Sequence, residues 1–500
     1  MTHKRFLGAM LWAQLGRLGE VGLSLLFIVL VVRWLSESSY STYTTVINLL
    51  NLFGLLFGTG ISEGLLRFLP LERQQSPIAS FWLFRRLFFV LILASPLPIL
   101  LLVLGKDWLA DWLNQAIFAV DPWLPATLLL LFNLHDFTGT YFVASFRVGR
   151  IVLIRFLGQL VNILVLAVWF WFTPPTAEIL LASLALVNTG MVLAVLVLLV
   201  QDGLLQRARH KGSIIQTKMG ELVRYCRDQY VIGLANIGLM GQIDIILLAL
   251  LASNVAEVSY YSIAALLISR LYNLITGWSA SLNSIISTVY LEKGQAGLAR
   301  YFTYYYRFSL PLHLISVVGL WVVSQPLVTL VFGERYQSVV ILLNLFALQQ
   351  MLMALLGASV CPAFINTLGR QNYMVRLRWL FGLLNVLLDV LLIPSYGALG
   401  AVIATSLANV LTRAAEAWLV RELIANLGFA YILKIGAGVA VAGLLCAFIG
   451  DAGLVILLVR GTLFVLILFG IFYLIKPVEA ADRLLITNLQ PRLARFLLMF

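Results

Sequence analysis

Two arginines lie deep inside long apolar stretches of the sequence, Arg17 in the first stretch and Arg270 in the eighth. A charged side chain at mid-membrane depth costs about 2.5–3.5 kcal/mol, so each one needs a physical reason. A guanidinium group can bind phosphate oxygens through two parallel hydrogen bonds. If both side chains face an internal cavity, they predict a phosphate site. Otherwise Arg17 pairs with Glu20, one helical turn away, and Arg270 bonds to a backbone carbonyl.

Glu20 and Asp244 are the carboxylates predicted to be buried in the first and seventh spans. A carboxylate inside a membrane can take up a proton or coordinate a cation, as a proton- or sodium-coupled transporter requires. For Glu20 the alternative is a structural ion pair with Arg17. Asp244 has no basic residue within one helical turn, and both a functional and a structural role remain open for it.

Three further groups of polar residues lie on apolar segments. Glu63 and Arg67 have the i,i+4 spacing of a structural salt bridge, with a gate contact as the alternative. Arg413 and Glu416 are predicted to form a local pair or a gate. Midway along the fourth span, "HD" (135–136) stands close to two threonines. His135 and Asp136 are candidates for contacting substrate hydroxyls or relaying protons, and the alternative is a satisfied hydrogen-bond cluster.

The composition excludes a water-soluble protein. Of the 500 residues, 61% are hydrophobic and 11% are charged, and the mean hydropathy is +0.98, whereas a soluble domain is about one-quarter charged. The first apolar run is too long for a cleaved signal peptide. Three cysteines and four histidines are scattered, so no metal site and no cofactor is expected.

The apolar stretches predict an all-α membrane protein with about fourteen spans of roughly 20 residues each. With both termini in the cytoplasm, most of the 34 basic residues fall on the inner side. The formal net charge of +12 therefore fits the anionic inner leaflet of the membrane rather than a nucleic acid.

The chain divides into two predicted six-helix lobes. "QLVNILVLAVWFW" (159–171) resembles "GLLNVLLDVLLIP" (382–394), which indicates two parallel repeats around a central cavity. The predicted segments are an N-terminal lobe (1–201), a cytoplasmic linker (202–229), a C-terminal lobe (230–423), two further helices (424–476) and an amphipathic cytoplasmic tail (477–500). Between the eleventh and twelfth spans, "PSYGALG" (394–400) predicts a tight outer hairpin, with Pro394 ending one helix and Gly397 permitting the turn.

One segment carries a family resemblance. "NVLLDVLLIPSYGALGAVIATSLANVL" (385–411) resembles the signature of polysaccharide-transporter flippases, which belong to the multidrug/oligosaccharidyl-lipid/polysaccharide exporter superfamily. The hairpin near residues 32–69 is similar to the first hairpin of that family, although Ser41 stands where the family often has glycine.

The resemblance implies transport of an undecaprenyl-diphosphate-linked oligosaccharide from the inner to the outer leaflet of a bacterial plasma membrane. The products would be O-antigen, capsule or exopolysaccharide, and other polysaccharide-assembly proteins are possible partners. Arg17 and Arg270 would then hold the lipid diphosphate, and the two lobes would alternate access to the cavity.

Two other functions compete with this one. A cation-coupled multidrug antiporter of the same superfamily should have more buried carboxylates than buried arginines. A membrane glycosyltransferase or polymerase needs paired carboxylates on a large outer loop. The only concentration of outer acids is a short loop that contains Asp107, Asp111 and Asp121. Trp108 and Trp112, in the same loop, are expected to be membrane-interface anchors, with sugar stacking as the alternative.

Overall fold

A computed structural model describes residue 19 and residues 22–145, 147–201, 218–239, 241–276, 282–424, 429–447, 449–450 and 453–475. Every regular element within these ranges is a helix, which confirms the predicted all-α class.

Within the described ranges, nine helices precede residue 202. They are α1 (Gly22–Trp34), α2 (Glu37–Gln75), α3 (Pro77–Ala94), α4 (Pro96–Leu104), α5 (Lys106–Leu113), α6 (Ile117–Val120), α7 (Trp123–Ala144), α8 (Val148–Phe172) and α9 (Ala177–Gln201). The later helices are α10 (Met219–Ile237), α11 (Gly241–Leu251), α12 (Ala256–Thr276), α13 (Leu282–Phe332), α14 (Ser338–Leu355), α15 (Cys361–Thr367), α16 (Gln371–Leu419), α17 (Arg421–Ile424), α18 (Phe429–Ala447) and α19 (Leu454–Ile475).

Within the described ranges, nine helices are long and apolar enough to cross a membrane, or up to eleven if each of two bent pairs is one span. The bent pairs are Glu37–Leu56 with Gly60–Arg73, and Met219–Ile237 with Gly241–Leu251. Helix α7 is neither one of the nine helices nor part of a bent pair, because polar residues interrupt its apolar sequence. The count of fourteen spans stays a prediction.

The two longest helices each contain a break at a glycine with positive φ, Gly294 in α13 (φ +61°) and Gly397 in α16 (φ +54°). Without its break, α16 would measure about 70 Å, more than twice the thickness of a hydrocarbon core. Pro394 lies inside the helix just before the break. The glycine therefore makes the predicted turn, because only glycine adopts this backbone conformation without strain.

The helices form two compact units. The first contains residues 1–259 and 393–397, and the second contains residues 260–392 and 398–500. In the first unit, α2 packs against α3, α7, α9, α10 and α11. Helix α11 thus packs with the helices of the predicted N-terminal lobe, although its residues fall in the predicted C-terminal lobe.

Glycines on two faces of α2 allow its neighbours to approach closely. A Cβ atom at Gly60 would lie 2.6 Å from the backbone oxygen of Cys226, and one at Gly64 would lie 2.5 Å from its Sγ atom. Toward α7, Cβ atoms at Gly54 and Gly58 would lie 3.3 and 3.5 Å from Asn133 Oδ1. Small residues at such spacings are typical of closely packed membrane helices, and here they place α2 directly between α7 and α10.

In the second unit, α13 packs against α14, α15, α18 and α19. Arg460 on α19 is buried and donates hydrogen bonds to the carbonyl oxygens of Ile449 (2.6 Å), Val322 (3.2 Å) and Gly450. The guanidinium group therefore bonds to carbonyls just beyond the C-terminal end of α18 and to one within α13. These hydrogen bonds connect α18 and α19 to α13.

Candidate functional site

The predicted phosphate and coupling residues are only partly described. Arg17 and Glu20 lie outside the described residues. Arg270 is half-buried on α12, Asp244 is fully buried on α11, and each interacts with other groups of the protein. The roles assigned to these four residues stay predictions.

A polar network in the first unit begins at His135 and Asp136 on α7. Arg155 on α8 donates a hydrogen bond from Nε to His135 Nε2 (3.4 Å), and its Nη2 lies 3.9 Å from Asp136 Oδ1. Gly139, on the next turn of α7, makes room for the guanidinium group, because a Cβ there would lie 3.4 Å from Arg155 Nη2. The structure therefore brings both predicted α7 residues to one arginine of the next helix.

The Arg155 hydrogen bond defines the state of the His135 ring. An imidazole nitrogen that accepts a hydrogen bond carries no proton, so the ring is neutral and its proton is on Nδ1. His135 is only 8% exposed, and its Nδ1 has no hydrogen-bond partner among the described residues. The hydroxyl groups of Thr138 and Thr140 do not bond to this nitrogen, because they donate to carbonyl oxygens of α7 itself.

Asp136 extends the network to α2. Its carboxylate accepts a hydrogen bond from the Ser62 hydroxyl and acts electrostatically on the neighbouring Glu63. The Asp136 side chain is 67% exposed. In the described part of the chain, no cation lies within 4.0 Å of the Glu63 carboxylate. Among the described residues, Asp136 therefore has one nearby guanidinium group, that of Arg155.

The predicted ion pair between Glu63 and Arg67 does not form. Arg67 turns to α10 instead, where its Cζ lies 4.3 Å from the centroid of the Tyr225 ring and its guanidinium group hydrogen-bonds the Tyr225 hydroxyl. A cation above an aromatic face is attracted by the ring quadrupole. The close approach of α10 at Gly60 and Gly64 presents this ring, so a contact between helices replaces the local one.

A second charged cluster lies in the second unit, around Glu416. Its side chain is fully buried, with Oε2 in contact with Arg413 Nη1 and Oε1 2.9 Å from Arg378 Nη2. The structure thus shows the Arg413–Glu416 pair that the i,i+3 spacing suggests, and adds Arg378, which sequence analysis missed. The sequence contains a hint of this contact, because Arg378 and Glu416 each lie 19 residues from Gly397. A hairpin turn at that glycine therefore brings the two residues side by side.

No group of three histidine, cysteine or acidic residues in the described ranges could hold a metal ion. Asp107, Asp111 and Asp121 lie in or near the short helices α5 and α6, and Trp108 and Trp112 stack on each other there with ring centroids 4.8 Å apart. Each of the two exposed indole rings covers one face of the other, so less ring surface is left for a sugar to stack on.

Comparisons with known proteins give one family and one fold. A family model described as "Polysaccharide biosynthesis protein" matches residues 30–341. No curated relative matches the chain by sequence.

Solved structures with a similar fold include a flippase and two multidrug transporters. The structure of the lipid II flippase MurJ in an inward closed conformation has a TM-score of 0.68 at 14% identity, covering 93% of this chain and 99% of that one. An inward-facing multidrug resistance MATE family transporter of the MOP superfamily has a TM-score of 0.63 at 12% identity, with 82% and 95% covered. An outward-facing transporter of that family gives 0.55 at 13% identity, with 83% and 96% covered. At these identities, the similarity shows a shared fold.

Proposed function

Because the chain belongs to the polysaccharide biosynthesis protein family, we propose that it transports a lipid-linked oligosaccharide across the membrane. The substrate would be an oligosaccharide on undecaprenyl diphosphate, moved from the inner to the outer leaflet of a bacterial plasma membrane. Both termini would lie in the cytoplasm. The family match carries this proposal, since it connects a multi-pass membrane protein with polysaccharide assembly.

The fold supports transport as the mechanism. The structures with similar folds include a lipid II flippase and transporters of the MOP superfamily, and two halves that alternate access around a central site suit a large amphiphilic substrate. In this proposal the protein moves its substrate without making or breaking a covalent bond. Arg17 and Arg270 would hold the diphosphate, and Glu20 or Asp244 would be available for proton or sodium coupling.

A second candidate is cation-coupled multidrug export. It is favoured by the similarity to MATE family transporters, which covers more than four-fifths of this chain. The two candidates differ in substrate chemistry, because a drug antiporter has no need of a diphosphate site.

The test is a flipping assay in proteoliposomes that contain a lipid-linked oligosaccharide, comparing the wild type with Arg17→Ala and Arg270→Ala. The expected result is flipping by the wild type and a large loss in both variants. Arg227→Ala is the matched control, because Arg227 is exposed and bonds to the adjacent Asp228. Unchanged flipping in both variants would remove the phosphate site. Drug resistance without loss of glycan in cells would favour the antiporter.

A further inference from the structure

Helix α13 contains two prolines, Pro311 and Pro326, and it stays helical through both of them. Proline has no backbone N–H, so the carbonyl oxygen four residues earlier in a helix loses its hydrogen-bond donor. The two carbonyls concerned belong to Arg307 and Val322. Lipid offers no donor to replace the missing one, so each of these carbonyls needs another group of the protein.

Side chains of the last two helices supply both missing donors. The Tyr431 hydroxyl on α18 donates to the carbonyl oxygen of Arg307 at 2.7 Å. Arg460 Nη1 on α19 donates to the carbonyl oxygen of Val322 at 3.2 Å. Each donor therefore bonds to the carbonyl that a proline leaves without its helical partner. The match at both prolines indicates that α18 and α19 complete the backbone hydrogen bonding of α13.

Both donors are buried and held by further contacts. Tyr431 is 8% exposed, and the Arg307 guanidinium group lies over its ring, with Cζ 4.7 Å from the ring centroid. Arg460 is 4% exposed and also bonds to the carbonyl oxygens of Ile449 and Gly450. Each donor is thus positioned beside its carbonyl before the bond forms, and the bond costs little further side-chain entropy.

The stretch of α13 between the two prolines packs closely against the same two helices. A Cβ atom at Gly319 on α13 would lie 3.3 Å from the Phe464 ring on α19. A Cβ atom at Gly443 on α18 would lie 2.6 Å from Val318 Cγ1. This packing holds the middle of the helix. The two proline sites, about 22 Å apart along the axis, are therefore the places where α13 can bend.

We propose that α13 has two hinges, at Pro311 and Pro326, and that Tyr431 and Arg460 are their latches, meaning side chains whose hydrogen bonds hold the hinges closed. A proline site is a weak point of a helix because one backbone hydrogen bond is missing. The latch replaces that bond from a neighbouring helix, and the hinge opens when the latch bond breaks. Helices α18 and α19 thereby control the flexibility of α13. The inference concerns the second unit by itself and does not depend on the transported substrate.

Hydrogen exchange of backbone amides, followed by mass spectrometry on the detergent-solubilised protein, measures the opening of each hinge. Tyr431→Phe removes one hydroxyl group, so peptides covering residues 312–316 should exchange about fivefold faster, the factor that corresponds to one net hydrogen bond. Peptides covering residues 327–331 should exchange at the wild-type rate. Arg460→Met should give the reverse pattern, so each variant is the control for the other hinge.

Replacing the prolines tests whether each latch acts through its hinge. Pro311→Ala restores the backbone N–H that donates to the Arg307 carbonyl. Exchange at residues 312–316 should then be slower than in the wild type, and adding Tyr431→Phe should have no further effect there. Pro326→Ala should likewise reduce the effect of Arg460→Met at residues 327–331.

Tyr306→Phe is the matched control for Tyr431→Phe. The Tyr306 hydroxyl also donates to a backbone carbonyl at 2.7 Å, but this carbonyl belongs to Leu355 at the end of α14, and no proline stands four residues after it. Its removal should therefore have the same effect on exchange with and without Pro311→Ala. Thermal unfolding in detergent verifies that each variant is folded.

Three results would overturn the inference. The first is faster exchange at both proline sites in each single variant, which would mean a general loosening of the second unit. The second is unchanged exchange at residues 312–316 in Tyr431→Phe. The third is an effect of Tyr431→Phe that persists undiminished beside Pro311→Ala. The cycle of Tyr431 with Pro311 decides the inference even where Arg460→Met does not fold, because it removes a single hydroxyl group.

Discussion

The polar network of the first unit and the charged cluster of the second unit differ in how completely their acidic side chains are paired with arginines. Glu416 is fully buried, and both of its oxygens contact arginines. Within the described residues, Asp136 has one nearby arginine, Glu63 has no cation within 4.0 Å, and His135 has a buried ring nitrogen without a partner. Arg413 Nε in the second cluster also has no hydrogen-bond partner among the described residues, so the difference lies in the acids. A buried acid with an arginine at each oxygen serves stability, while incompletely paired acids keep the capacity to bind or release a proton.

The largest expected effect comes from removing Glu416, the fully paired acid of the second unit. Glu416→Ala leaves Arg378 and Arg413 buried without their common partner, so we expect a loss of about 3–5 kcal/mol in the free energy of unfolding. The measurement is unfolding of the detergent-solubilised protein. Glu422→Ala is the control, because its ion pair with Arg370 is more exposed and should contribute about 0–1 kcal/mol. Equal losses in both variants would show that Glu416 is not a buried structural charge.

The close contact of α2 with α10 can be tested at its two glycines. Gly60→Ala places a methyl group 2.6 Å from a backbone oxygen that cannot rotate away, so we expect a loss of about 1–3 kcal/mol in stability. Gly64→Ala meets the Cys226 Sγ atom instead, and Cys226→Ala should therefore rescue Gly64→Ala but not Gly60→Ala. Gly190→Ala, which has open space around it, is the control for thermal unfolding. Rescue of both variants by Cys226→Ala would contradict the described packing.

Removing Arg155 tests the polar network of the first unit. Arg155→Gln takes away the donor to His135 and the cation beside Asp136, so we expect a loss of about 1 kcal/mol in the free energy of unfolding. The measurement is thermal unfolding of the detergent-solubilised protein. Arg227→Gln on α10, where the arginine is exposed and bonds to the adjacent Asp228, should leave the stability unchanged. An Arg155→Gln variant as stable as the wild type would show that these contacts do not stabilise the packing of α8 on α7.

The smallest expected effect concerns the contact that replaces the predicted local ion pair. Tyr225→Leu removes the ring beneath Arg67, and the loss of a partly exposed cation–π contact should cost about 0.5–1 kcal/mol. A double-mutant cycle with Arg67→Met in thermal unfolding measures the coupling directly. The same cycle between Glu63→Gln and Arg67→Met should give no coupling. If Arg67 couples more strongly to Glu63 than to Tyr225, the salt bridge between Glu63 and Arg67 is the contact that stabilises the protein.

Composition and the spacing of residues within one helix were enough to predict part of the fold. Few charges among long apolar stretches require an all-α membrane protein, because only helices satisfy their own backbone hydrogen bonds in lipid. A glycine in the tight turn of "PSYGALG" and the i,i+3 pair of Arg413 with Glu416 follow from local geometry and are present in the structure. The number of spans and the lobe boundaries stay predictions.

The partner of each charged side chain depends on how the helices pack in three dimensions. Arg67 has an acid one turn away on its own helix, yet it contacts Tyr225, because Gly60 and Gly64 bring α10 close enough to present a ring. Arg378 joins Glu416 from a distant position in the chain, and Arg155 reaches His135 through the space left at Gly139. Periodicity defines which residues share a face of a helix, but the rotation and spacing of neighbouring helices define what that face meets.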